Sequence, residues 1–396
     1  MEMPTSKEVH TSGIAGSSHV SSIWSLPNLP ITEQFGIFDA NFPTFDQELM
    51  VCMESGHFQL KNSINPKYLY QNATYSFHTL PSQKIKDELK FLIENLEIDK
   101  NVSDTTRILE IGGNNYELAN LLSTKVANYI ICDPILSDYE DYKSNVLSWG
   151  GMIEDHLDRV REYKPTLIVG RHVLEHIVDP FETLLKLVEI VPDGTLFYFE
   201  TPSLGQILSK LRFDAIFHQH LHYYDESSIA FLVQKLNCEL IKILTNPLGS
   251  NGGSLLFSFK KSTKSSIFVK PVYQSVEAKV SYFSNQLSTF QKVIESQVSI
   301  LDTWTEEKFG YGAGLMLATY NYHLGGKIES LKGILDDDNA KTGFTYKNID
   351  IKIYNSTTVS ESASTLMLIT SLENQLAIRN RIGRVKNWVS LGYPIF

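Results

Sequence analysis

Cysteine is scarce: only Cys52, Cys132 and Cys238 occur in a chain of 396 residues. They are too few for a disulfide framework and too far apart for the close pairs that build a four-thiolate zinc site. Such usage fits a reducing compartment. The amino-terminal MEMPTSKEVHTSG also lacks a charged stretch followed by an apolar one, so a cytoplasmic protein is expected. No apolar run approaches the roughly 18 residues of a membrane span. Basic runs are absent as well. The 35 Lys and Arg stand against 45 Asp and Glu, a formal charge of −10, and no nucleic-acid partner is expected. What is present is ordinary globular composition, 42% apolar and 20% charged, over a length that holds about two or three domains.

Four stretches follow from the patterning. Residues 1–80, rich in Ser, Asn, Pro and aromatics with weak periodicity, read as an irregular or short-stranded segment. From Pro81 the spacing of Ile85, Leu89, Leu92, Ile93 and Leu96 predicts a helix, which opens a domain over 81–262. There RILEI (107–111), YIICD (129–133), TLIVG (166–170) and TLFYFE (195–200) alternate with helical runs, the pattern of a doubly wound α/β domain with a parallel sheet. CELIKIL and SLLFSFK, separated by the turn-rich NPLGSNGG, predict an antiparallel pair at the sheet edge. Apolar residues from Val276 to Leu301 at spacings of three and four predict a long helical linker within 263–308. Strand and helix alternate again over 309–396, a second, smaller α/β domain.

The chemistry begins at the carboxyl ends of the first two α/β strands. One ends in Glu110-Ile-Gly112-Gly113-Asn114 and the next in Asp133. A glycine turn lets backbone approach a ligand, and an acidic residue about 20 positions on can bind ribose hydroxyls, so this is a nucleoside half-site. The glycine spacing is not GxGxxG and no phosphate-cradling loop follows, so no pyrophosphate ligand is expected. Glu110 before the turn suits a ligand with a cationic centre. His218, His220 and His222 alternate; on a strand they would share one face, as metal ligands or as histidines packed beside Tyr223 and Tyr224.

This strand-turn-helix unit resembles the first motif of the class I S-adenosylmethionine-dependent methyltransferases, and RHVLEHIVDP (171–180) resembles the segment after their fourth strand. ETPSLGQILSKLRFDAIFHQHLHYY (200–224), the GSNGGS loop (249–254), GYGAG (310–314) and DDDNAK (336–341), in that order, are similar to the sugar C-methyltransferases of deoxysugar biosynthesis, from about Pro43 onward. The resemblance implies a Rossmann-like cofactor domain over 81–262 and a C-terminal substrate domain. It implies S-adenosylmethionine as cofactor, held by Glu110, Gly112, Asn114, Asp133, Arg171 and His172. It assigns catalysis to His220 as general base with His176 and Gln219, and the sugar or sugar-nucleotide to Phe217, His218, His222, Tyr224, Asn251, Gly252 and Tyr311.

Three departures qualify the carry-over. The family's paired zinc cysteines are reduced to Cys52, with Ser55 and His57 following, so the amino-terminal segment reads as a degenerate zinc-binding one and no zinc or other metal is expected. Phe217 and Gln219 replace a phenol and a carboxylate. Tyr116 stands where a motif glycine is expected. The expected function is methyl transfer to a nucleotide-activated sugar or surface-polysaccharide precursor, at carbon or at a hydroxyl. The alternative is a degenerate methyltransferase fold serving as a binding module.

Overall fold

The computed structural model describes residues 6–32, 35–70, 83–95, 98–113, 116–136, 141–143, 145–262, 274–360 and 364–393. Where the sequence reads as irregular or short-stranded, the chain forms an antiparallel sheet of β1 (Val20–Pro30), β2 (Thr44–Cys52) and β3 (Phe58–Leu60), with His222–Tyr223 as its fourth strand. The pairing of β1 with β2 shifts register between Ser22 and Trp24 and again between Leu26 and Leu29. Bulges break the period-two alternation by which a strand is recognised, which is why this one was hidden.

Helix α1 (Gln83–Asn95) forms as its spacing predicts and buries Leu89, Leu92 and Ile93. The strands of the main sheet are β4 (Arg107–Ile111), β5 (Asn128–Asp133), β6 (Asp141–Lys143), β7 (Val146–Gly150), β8 (Leu167–Arg171), β9 (Leu196–Pro202), β10 (Glu239–Asn246) and β11 (Ser254–Lys260). Their order is β10-β11-β9-β8-β4-β5-β7-β6. The five strands from β9 to β7 run parallel, while β10 and β11 form the antiparallel edge pair read from the sequence. Helices cover both faces, each with its own apolar core. On one side α2 (Glu117–Leu122) buries Leu118, Ala119 and Leu122. On the other, α3 (Pro180–Ile190) buries Leu184, Leu187 and Val188, started by Asp179, whose carboxylate accepts from Glu182 N at 3.0 Å, with Pro180 in the first turn.

The expected linker helix, α4 (Val276–Thr303), is a core element. It buries Phe283, Phe290, Ile294 and Leu301 in a cluster shared with the amino-terminal sheet, the 204–221 segment and the C-terminal lobe. That lobe has five parallel strands, β12 (Glu307–Tyr311), β13 (Ile334–Asp336), β14 (Ile353–Asn355), β15 (Thr365–Ile369) and β16 (Trp388–Leu391), ordered β14-β13-β12-β15-β16. The chain reverses direction across this sheet between β12 and β15, and across the main sheet between β4 and β8. In open α/β sheets, ligands bind at the carboxyl ends beside such a reversal. Among the described residues no helix is long and apolar enough to cross a membrane.

Candidate active site

Both reversal points face one cavity of about 1020 Å³. Gly112 and Asp133 line one end; Arg171, His172, His176, Phe217, His220 and Asn251 line the middle; residues 313–316 and 370–374 of the C-terminal lobe line the other end.

At the first end the chain turns through Gly112 at φ 77°, the left-handed region that favours glycine. At Gly113 a Cβ would come within 2.5 Å of the Glu110 carboxyl carbon. Glu110 therefore lies behind the turn, and its side chain is not part of the cavity wall. It is buried and accepts from the Tyr129 hydroxyl at 2.6 Å. Burial pushes its carboxyl up to about 7, against the Tyr129 hydrogen bond and the Arg171 charge. Asp133 is buried at the cavity edge, one carboxylate oxygen accepting from Ile135 N at 3.0 Å. Tyr116, at φ 60°, takes a left-handed conformation ahead of α2. Asn114 lies outside the described residues.

The floor is a buried charge network. Arg171 Nε donates to Glu200 at 2.7 Å and its guanidinium lies 3.5 Å from Glu88, while Ser254 Oγ donates to the second Glu200 oxygen at 2.7 Å. His172 also sits in the left-handed region, at φ 49°. Its Nδ1 donates to Glu175 at 3.2 Å and its Nε2 lies 3.9 Å from Glu200. Burial opposes charge on His172, but the Glu175 hydrogen bond and the Glu200 carboxylate outweigh it and raise the imidazole.

The alternating histidines do not share a face, because only His222 and Tyr223 of that stretch are in a strand. His218 is tied to the Leu29 carbonyl at 2.9 Å and to Gln47. His222 pairs with His57 Nε2 at 3.0 Å and donates to the Val178 carbonyl. Burial depresses both His218 and His222 to about 4. His220 alone of the three lines the cavity. Its ring lies 4.9 Å from that of His176 and 4.1 Å from that of Phe217. Burial depresses His220 well below the usual imidazole range, with charge on His176 and His172 adding to the effect. His176 is also depressed, chiefly by burial, and its Nδ1 donates to the Gln219 carbonyl at 2.7 Å.

Several expected contacts are therefore turned elsewhere. The Gln219 amide donates to the Thr32 carbonyl at 3.2 Å, Tyr224 OH to the Leu174 carbonyl at 3.3 Å, and Tyr311 OH to Asp337 at 2.8 Å. These side chains, with those of His218 and His222, are spent on joining segments and do not line the cavity. Gly252 lies beside its lining neighbour Asn251, whose own φ is 58°. Cys52 is a buried free thiol, and His57 is committed to His222.

Three features have no site role assigned to them by the sequence, although two of them lie within the RHVLEHIVDP and DDDNAK stretches. Glu175, fully buried, has ligand-capable atoms within 4.8 Å of those of His176 and His220. Its carboxylate already meets His172 and the Thr201 hydroxyl. Arg212 grips Asp214 with two hydrogen bonds of 2.8 and 2.9 Å and reaches Glu373 of the other lobe at 2.8 Å. Finally, Asp336 accepts from Ala313 N at 2.7 Å and from Lys341 at 3.3 Å, so part of the aspartate run shapes the GYGAG turn.

Residues 77–243 match the family described as a methyltransferase domain. That match covers less than half of the chain. The chain is 23% identical over 217 residues to the C-methyltransferase NovU of Streptomyces niveus, covering 54% of this chain and 50% of that protein. It thus spans about half the length of that curated relative. Solved structures similar to part of the chain include the N-methyltransferase NodS of Bradyrhizobium japonicum WM9 with S-adenosyl-L-homocysteine (13% identity, 48% of this chain and 97% of that one, TM-score 0.37). Another is magnesium protoporphyrin IX methyltransferase of Synechocystis PCC 6803 (10% identity, 47% and 92% coverage, TM-score 0.35).

Proposed function

We propose that the protein transfers the methyl group of S-adenosylmethionine to a sugar-type acceptor, with His220 as general base. The observation that carries the reading is the cavity itself, which joins the glycine turn and Asp133 to the imidazoles of half-buried His176 and buried His220 and to the C-terminal lobe. The residues present suit the cofactor. Asp133 offers a carboxylate for ribose hydroxyls, and Gly112 has no side chain to hold a ligand off the backbone. Asp133 and Gly112 would hold the nucleoside part, and bound S-adenosylmethionine supplies an electrophilic methyl carbon.

The remaining work falls to the chain. Both lobes line the site, and closing it around the substrates would exclude water. Burial keeps His220 neutral at physiological pH, the form that accepts a proton. The turns at 313–316 and 370–374 lie where an acceptor, nucleotide-linked or part of a larger glycan, would be held. Resemblance to NovU, a C-methyltransferase, supports methyl transfer, and the order of the GSNGGS, GYGAG and DDDNAK stretches supports a sugar-type acceptor. Phe217 and Gln219 bring neither phenol nor carboxylate to the cavity, which leaves a hydroxyl acceptor as open as a carbon. Incubation with ¹³C-methyl cofactor and a panel of sugars and sugar nucleotides tests this. A labelled methyl on oxygen or carbon of a sugar is expected, and its NMR shift separates the two bonds. Binding of cofactor without transfer to any sugar would remove the acceptor class. Absence of cofactor binding would favour a binding module.

A further inference from the structure

The base sits in a poor place to become a cation. His220 is 4% exposed, its Nδ1 is buried without a hydrogen-bond partner, and the neighbouring imidazoles add positive charge when protonated. Taking the acceptor's proton makes it a cation. The O–H or C–H bond breaks and its proton goes to a His220 ring nitrogen. The electron pair left behind bonds to the methyl carbon, whose former bonding pair stays on sulfur. One positive charge thus leaves the sulfonium and appears on the imidazole, where burial makes it costly without a nearby anion.

The nearest anion is Glu175. Its side chain is completely buried, and its atoms lie within 4.8 Å of those of His176 and His220. It is also held rigidly. Its carbonyl accepts from Leu221 N at 2.7 Å and His222 N at 3.2 Å, tying it to the segment that carries His220, and its carboxylate meets His172 and Thr201. Resting on the reading of His220 as base, we propose that Glu175 is its positioning residue, supplying the fixed negative charge that stabilises the cation formed on His220. His172, held between Glu175 and Glu200, acts in the opposite sense. Other charged groups facing this set are Arg171 with Glu200 at the strand ends and the Arg212–Asp214 pair with Glu373 across the cavity. Each is part of an ion pair, as Glu175 is with His172; what sets Glu175 apart is that its carboxylate lies within 4.8 Å of the ligand-capable atoms of His176 and His220, and Coulomb energy falls with distance.

The test uses the full chain without ligand, labelled with ¹³C-histidine, with the His220 signal assigned by its loss in His220→Asn. Glu175→Gln keeps the shape and removes the charge; the His220 midpoint should move down by about one pH unit. His172→Asn removes the opposing cation and tolerates the left-handed backbone; the midpoint should move up. In turnover, Glu175→Gln should lower kcat about 10²-fold with KM little changed, and the acid limb of its pH profile should follow the NMR shift. Midpoints that stay put, or that move the same way in both variants, overturn the proposal even if His220→Asn is inactive. Opposite shifts combined with an active His220→Asn uphold the electrostatic role of Glu175 and overturn His220 as base.

Discussion

His220 and Glu110 are both buried titratable groups, and burial acts on them with opposite consequences. A buried imidazole loses its proton more readily, so His220 stays neutral and able to accept a proton below the usual histidine range. Its activity should disappear only as pH falls through that lowered value, giving a rate profile whose acid limb lies below the ordinary imidazole pKa of about 6.5. His220→Asn should reduce turnover about 10²- to 10⁴-fold while leaving S-adenosylhomocysteine affinity intact, a split that paired kinetics and calorimetry would read. Glu110 instead holds its proton up to about 7. The folded state therefore binds a proton that the unfolded chain has released, and wild-type stability should fall as pH rises from the free carboxyl value toward 7. Glu110→Gln keeps the Tyr129 partner without the ionisation. Urea unfolding should show the variant gaining on wild type from about pH 4.5 to about pH 7; parallel pH dependences would contradict the assignment.

Elements that follow a simple period were legible in the sequence, and those that join distant segments were not. The strand-helix alternation from Arg107 to Glu200, the edge pair and the helix Val276–Thr303 all have periodicities set by one face or two of burial. The amino-terminal sheet was hidden by its bulges, and its fourth strand comes from His222–Tyr223, more than 150 positions away. The same distance explains the site. Gly112, Asp133, His176 and His220 could be placed by motif and all line the cavity. Gln219, His218, His222 and Tyr224 were near in sequence yet point to other segments, because a loop through 216–221 replaces the strand that would have aligned them. Glu175 gave no periodic signal, since its partners arrive from three segments. The glycine turn has little slack. Gly113→Ala would force a Cβ to within 2.5 Å of the Glu110 carboxyl carbon, so a loss of about 1–3 kcal/mol in unfolding free energy and weaker cofactor binding are expected from denaturation and calorimetry.

At the scale of the whole molecule, the two sheets present their reversal points to one cavity, and Arg212 bridges the lobes that form it. Arg212→Ala would leave Asp214, 1% exposed, as a buried anion without its guanidinium. A loss of about 3–5 kcal/mol is expected in chemical denaturation. Glu373→Gln, at the more open end of the bridge, should cost less and chiefly affect acceptor KM. The account as a whole stands on the first end of the cavity being a nucleoside site. Calorimetric titration of S-adenosylhomocysteine into the intact protein tests that most directly. One site per chain is expected, weakened tenfold or more in Asp133→Ala because a charge-assisted hydrogen bond contributes about 1.5–3 kcal/mol. No binding at millimolar ligand, or an unchanged affinity in Asp133→Ala, would contradict it.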